Sequence, residues 1–537
     1  MGGERAFRRG RGAWLAFGGM LTCTVAGFVA WRVSCPRSEW EHLVVSADEP
    51  SVALGADAES QIVAFCSDCH ALPRPESFPR DAWYNEVRKG YEFYARSGRN
   101  DLSPPPAHRA VAYFRSRAPE RITFAQPEEA QEKLNATFSI ENLTLGESSD
   151  VAPAVSHLRW TRLEPDADPV LLVCEMREGV VAAVDLRRNP RRRTVLARLR
   201  NPCRVEPCDL DGDGWIDLVV ADLGSFFPND HDLGRVVWLR RRPESQAFEQ
   251  IVLLSGLGRV ADVRPADVDG DGDLDLVVAE FGHYRTGSIL LLRNVAQPGE
   301  RPRFEPEKLD DRPGTIHVPV HDFNGDGRLD FAALVSQESE SIELFINRGD
   351  ARFVPCTLWS APDLTFGSNG IELTDLDGDG DVDILYTNGD AFDNSYVSPA
   401  HGVQWLERLE GGRFEYHRLT DMPGACRALP GDFDLDGDLD ILVTAWLPPQ
   451  LRPPDLIPAK LASIVCLEQT SPGNFVRHTL ERGLPYHAAL EVGDFDGDGD
   501  VDFVVGWHLV TARLRNTREL PRGLTVWWNQ KNRGTGE

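Results

Sequence analysis

The chain has no surplus of positive charge: 57 Lys and Arg stand against 84 Asp and Glu, a formal net charge of −27. Phosphate backbones require a basic surface, so nucleic acid is excluded as a partner. Catalytic signatures are missing as well, with no Gly-x-Ser-x-Gly, phosphate loop, His-Glu-x-x-His or dinucleotide glycine fingerprint. Methionine is scarce, limited to Met1, Met20, Met176 and Met422. What is present is a 42% hydrophobic chain with 9% aromatics, which can pack a core and excludes global disorder. At 537 residues it holds several units or a repeat array, and 47 Gly with 37 Pro point to a turn-rich, mainly β protein.

Ala13 to Trp31 carries no charge over 19 residues, after Arg5, Arg8, Arg9 and Arg11. An apolar helix of that length just spans a bilayer core of ~30 Å, and the arginines place the N-terminus in the cytoplasm. Residues 1–12 read as a cytoplasmic stub, 13–32 as a transmembrane anchor and 33–50 as a linker. The body is then exported, in the bacterial periplasm or beyond. A cleaved signal is the competing reading, with Thr24-Val25-Ala26 its best small-residue site.

Cys66-Ser67-Asp68-Cys69-His70 has the C-x-x-C-H spacing of covalent haem attachment, two thiols for the vinyl groups and His70 for the iron. A redox dithiol and a zinc half-site are the alternatives, but no second C-x-x-C completes a zinc site. Residues 51–123 resemble a small cytochrome c domain, with helices expected over 58–70, 80–97 and 106–118. The resemblance implies haem c and electron transfer. It departs from the family in having no methionine between His70 and the end of the domain. The sixth ligand is therefore His108, with Tyr91 or Tyr94 behind it, or the iron is five-coordinate.

A nine-residue pattern recurs six times at starts 53 to 62 residues apart. Its odd positions are Asp209, Asp211, Asp213, Trp215 and Asp217; Asp267, Asp269, Asp271, Asp273 and Asp275; Asp322, Asn324, Asp326, Arg328 and Asp330; Asp375, Asp377, Asp379, Asp381 and Asp383; Asp432, Asp434, Asp436, Asp438 and Asp440; Asp494, Asp496, Asp498, Asp500 and Asp502. Side chains at positions one, three, five and nine with the position-seven carbonyl make an all-oxygen cage suited to Ca²⁺, and glycine at position six allows the turn. An EF-hand is excluded, because position twelve is Val, Ala or Tyr instead of Glu and a strand follows. The pattern resembles FG-GAP/VCBS repeats, whose best-known members are integrin α-subunit propellers. That resemblance implies a β-propeller binding up to six Ca²⁺.

Counting blades gives seven: six with Asp loops, and one before them whose loop has degenerated to Glu164-Pro165-Asp166-Ala167-Asp168. The last repeat lacks an outer strand, and 136–143 has the pattern to supply it, closing the ring. The expected architecture is mainly β: a seven-bladed propeller over 136–532 with a tail at 533–537, a small all-α cytochrome c-like domain, a linker at 124–135 and an N-terminal transmembrane helix. Loops between second and third strands should gather on the face opposite the Asp loops. Arg204, Glu206, Asp262, Arg264, His317, Glu372, Arg427 and Glu491 should line the axis, as a ligand pocket or as mutually satisfied ion pairs. Cys203 and Cys208 form a short-loop disulfide or stay as thiols, while Cys174, Cys356, Cys426 and Cys466 read as small core residues.

Three functions remain open. The chain is a redox module whose propeller face takes a protein or glycan ligand, a dehydrogenase feeding its own haem, or an adhesion scaffold.

Overall fold

The computed structural model describes residues 55–68, 71–145, 151–242, 244, 247–297, 299–337, 339–392, 395–457, 460–510 and 523–531. The expected membrane span at 13–32 and the motif residues Cys69 and His70 lie outside them. No helix among the described residues is long and apolar enough to cross a membrane.

Seven antiparallel sheets form among these residues, each a blade whose strands pair in sequence order. In the first blade the strands are Val155–Thr161, Val170–Glu175, Val180–Asp185 and Arg192–Arg198; in the second they are Pro202–Cys208, Asp217–Asp222, Gly234–Arg242 and Ala247–Leu257. The first strands neighbour one another in a closed ring, from His487–Gly493 back to Val155–Thr161. Second strands are buried along their whole length in blades two to seven, as in Asp217–Asp222 and Asp275–Glu280. Outer strands such as Ala247–Leu257 and Phe304–Asp310 carry only partly buried and exposed residues. In the fourth blade the first strand breaks into Thr315–His317 and Val320–His321 at Pro319, which has no N–H for the ladder.

The ring closes as the repeat pattern requires. Phe138–Thr144 pairs antiparallel with Gly523–Asn529, Phe138 opposite Asn529 and Thr144 opposite Gly523. The seventh blade therefore mixes both ends of the propeller segment and has no open edge there.

Ahead of the propeller lie α1 (Ala56–Cys66), α2 (Trp83–Ser97) and α3 (Ala107–Arg117). Helix α1 stops at Cys66, short of the expected 70, and the expected helix over 80–97 begins with a 3₁₀ turn at Arg80–Ala82. Trp83 and Phe114 stack at 4.2 Å with planes 9° apart, over Ile62, Val87 and Val111. This small unit sits on the propeller through Phe78 against Tyr396 at 5.3 Å, Phe93 against Tyr284 at 5.2 Å, and a hydrogen bond from Ser77 Oγ to Asp363.

The segment expected as a linker at 124–135 is tied down. Ala130 N donates to Arg477 O at 2.8 Å, and Glu129 takes Thr479 Oγ1 at 2.6 Å and Arg482 Nη2 at 2.8 Å.

Deleting residues 136–145 should unfold the propeller, because the seventh blade loses its outer strand. Circular dichroism melting checks this, and an unchanged transition contradicts the closure.

Candidate metal loops and the opposite face

Each Asp loop joins the first and second strands of its blade and is wired in the same way. The position-one carboxylate accepts the N–H of the glycine five residues on, at 2.8–3.2 Å in all six loops. This folds the chain around the carboxylate and turns the later side chains inward. Position four is left-handed as well as position six. Glycine occupies it in five loops, with φ of 67° to 85°, but the fifth loop places Leu435 there at φ 58°.

Carboxylates converge in five of the loops. Ligand atoms lie within 4.8 Å of one another for Asp209, Asp211 and Asp213, for Asp267, Asp269 and Asp271, and for Asp432, Asp434 and Asp436. Asp375, Asp377 and Asp383, and Asp494, Asp496 and Asp502, gather likewise. The third loop is not among these clusters: Asn324 replaces a carboxylate, and the Arg328 guanidinium turns back onto Asp326. Trp215, at position seven, donates its N–H to Asp213 Oδ1 at 3.0 Å.

Position nine differs from the other ligand positions. Asp217, Asp275, Asp330, Asp383, Asp440 and Asp502 are buried, and one oxygen of each accepts a backbone N–H from the third strand at 2.6–2.9 Å. The second oxygen takes Trp238 Nε1 in the first loop and the N–H of the loop's second residue in the other five, at 2.8–3.3 Å. These aspartates fasten the loop to its blade, and only Asp383 and Asp502 join the clustered ligand atoms.

The fit to a cation rests on atoms the protein leaves over. The Oδ1 atoms of Asp211, Asp269 and Asp434, all at position three, are buried and have no hydrogen-bond partner. A buried carboxylate oxygen without a donor is costly, and a hard cation at the cluster centre supplies what is missing. Burial, then the neighbouring carboxylates, push Asp273 and Asp438 up to about 6. Burial drives Asp275, Asp440 and Asp502 up to about 7, against backbone hydrogen bonds that lower them. These shifts mark a site that disfavours its own charge until a cation enters.

Five blade-to-blade joints start from the same region and were not visible in the loop motif. Asn347 Nδ2 donates to Val268 O at 2.7 Å, Arg408 Nη2 to Phe323 O at 3.0 Å, Gln469 Nε2 to Leu376 O at 3.1 Å, Asn529 Nδ2 to Phe433 O at 2.8 Å and Arg187 Nε to Phe495 O at 3.2 Å. Each acceptor is the second residue of the preceding blade's loop, so a loop's shape is coupled to its neighbour. The available signal was the Asn or Gln ending a third strand, as in Ile346-Asn347 and Trp528-Asn529.

On the axis the expected polar side chains meet as ion pairs. Arg204 Nε lies 2.8 Å from Glu206 and 2.9 Å from Asp262, Arg264 Nε lies 3.0 Å from Asp262, and Arg427 Nη2 lies 3.1 Å from Glu372. His317 and His157 stay neutral, because burial and the surrounding guanidinium groups push both down. Burial pushes Glu491 up to about 7. Of the two readings of the axis, the paired network is the one found.

The face opposite the Asp loops carries a cavity of about 470 Å³. Loops between second and third strands line it, with Ser77 and Phe78 of the helical unit.

Among the cofactor candidates, Cys66 is half-buried at the end of α1 beside Tyr91, and burial raises its thiol to about 11. His108 is exposed in the first turn of α3. The hydroxyls of Tyr91 and Tyr94 donate to Pro105 O at 2.6 Å and Leu102 O at 3.1 Å. Cys203 and Cys208 are free thiols, so that disulfide is absent. Cys356 corrects the core reading of the cysteines: it is exposed, on the solvent side of an outer strand, whereas Cys174, Cys426 and Cys466 are buried.

Blades and loops together define a seven-bladed β-propeller built from aspartate-loop repeats. The family model described as FG-GAP-like repeat matches residues 209–278 and 322–386. Each match begins at one Asp loop and ends in the strand after the next, one strand out of phase with the blades. Comparison with curated proteins returns no match.

Leu435→Gly should stabilise the fold by about 1 kcal/mol, since a left-handed backbone burdens an L side chain and not glycine. Thermal melting should record a higher Tm. Glu491 makes stability fall as pH rises: its folded pKa lies above the unfolded value, so the folded state holds the proton longer, and the loss runs from near 4.5 to about 7. Glu491→Gln, melted across pH 5 to 8 in excess calcium, should show a shallower decline than the parent.

Proposed function

We propose that the protein is an exported, membrane-anchored haem c protein whose calcium-braced propeller presents a ligand-binding face, so that ligand capture and electron transfer are combined in one chain. The observation that carries this reading is the seating of the helical unit on the face that holds the 470 Å³ cavity. Cys66 would hold haem through a thioether, together with Cys69 and His70. Its half-buried position among Tyr91 and the apolar side chains of α1 and α2 suits a flat apolar macrocycle. When bound, haem c supplies one-electron transfer. His108, with Tyr91 or Tyr94 behind it, would be the side chain available to complete the iron's ligands.

Calcium is proposed for the five clustered loops on the chemistry of their donors, with the third loop the weakest. The residues before 55 are proposed to anchor the chain, with the bulk in the periplasm or outside the cell.

Two measurements test the reading. A pyridine haemochrome spectrum of protein made in a haem-maturing host should show haem c, and Cys66→Ser should lose one of its two thioether links; an absent haem signal in the parent overturns the redox half. EDTA should lower Tm, and Ca²⁺ should restore it in a concentration-dependent way.

A further inference from the structure

We propose that the cavity on the loop face binds a neutral saccharide, its ring faces against a row of aromatic side chains and its hydroxyls toward uncharged polar groups. The proposal deepens the ligand-face reading above and rests on it.

The row is made by four loops from four blades. Phe226 stacks on His508, with centroids 5.7 Å apart and planes 15° apart. His508 meets Trp446 edge-on at 5.8 Å, and Trp446 stacks on Phe392 at 6.0 Å and 29°. All four rings line the cavity and are half-buried. They are also held in place. Trp446 Nε1 donates to His508 O at 2.9 Å, and the Arg177 guanidinium covers Phe226 at 4.3 Å. Rings fixed before a ligand arrives lose little freedom when it binds.

Charge decides between ligand classes. Two guanidinium groups stand near the cavity, Arg259 over the Phe281 ring at 5.2 Å and Arg177 over the Phe226 ring at 4.3 Å, and both are held against rings, which leaves phosphate or carboxylate ligands poorly matched. His508 is neutral, since burial pushes it down to about 4. The two acidic linings serve the fold: Glu340 accepts Ser368 N at 2.9 Å and burial raises it to about 7, and Asp390 accepts Phe392 N at 2.9 Å. An organic cation would want rings turned around one point, but these form two near-parallel pairs that meet edge-on. Aromatic rings from four loops, presenting edges as well as faces, with Asn369 and Gln337 in the same lining, offer instead the mixture of C–H contact and neutral hydrogen bonding that a sugar presents.

The test uses the full chain with bound calcium and isothermal titration. Cellobiose, maltotriose, mannobiose and xylotriose form the neutral arm; choline and digalacturonate form the charged arms. The expected result is binding in the neutral arm alone, weakened roughly tenfold or more by Trp446→Ala and by Phe392→Ala in protein that circular dichroism shows to be folded. Two variants are used so that one misfolded protein does not decide the outcome. Neutral-sugar binding that both folded variants leave intact overturns the site. Binding of choline or digalacturonate alone, lost in the variants, overturns the saccharide while the ligand face stands. No binding by any probe overturns both.

Discussion

One buried carboxylate in each of six blades carries the architecture. At position nine of each loop an aspartate with almost no solvent contact accepts a backbone N–H from the third strand and, in most loops, another from its own loop. A carboxylate in that position is tolerable only while its donors hold, because an unpaired buried charge costs far more than a lost neutral contact. The loop is therefore fixed before any cation arrives, and positions one, three and five are brought together by a turn already made. The convergence of carboxylates is thus a consequence of the fastening.

The same loops tie blades to one another. In five places a polar side chain after or at the end of a third strand donates to the second residue of the preceding loop, including Arg187 of the first blade to Phe495 of the seventh. Together with the pairing of Phe138–Thr144 and Gly523–Asn529, this ties five of the seven blade interfaces and closes the ring between the last blade and the first. A cation that stiffens one loop thereby acts on its neighbour. The opposite face stays free for loops of irregular length, where aromatic residues and the helical unit meet.

Much of this was legible in the residues. Six copies of an aspartate pattern at a near-constant period gave blade number, loop chemistry and the return strand, since a repeated supersecondary unit leaves its period in the sequence. Axial side chains were legible by alternation, because residues two apart on a strand share a face. Other features were hidden. Cys356 looked like its buried siblings, but it lies on an outer strand whose residues Val354 to Thr357 are all exposed. Leu435 looked like an ordinary substitution until its φ of 58° placed it where the other loops have glycine. The segment 124–135 read as a linker because its contacts, Glu129 to Thr479 and Arg482, come from more than three hundred residues away.

The sequence by itself determined the number of blades, the aspartate pattern of their loops and the strand that closes the ring, because all three are local patterns along the chain. Only the tertiary structure decided that position nine serves the blade, that the axis is a paired network, and that four rings from four blades stand in one row. Those features depend on distances between residues far apart in sequence, and such distances exist only once the ring has closed.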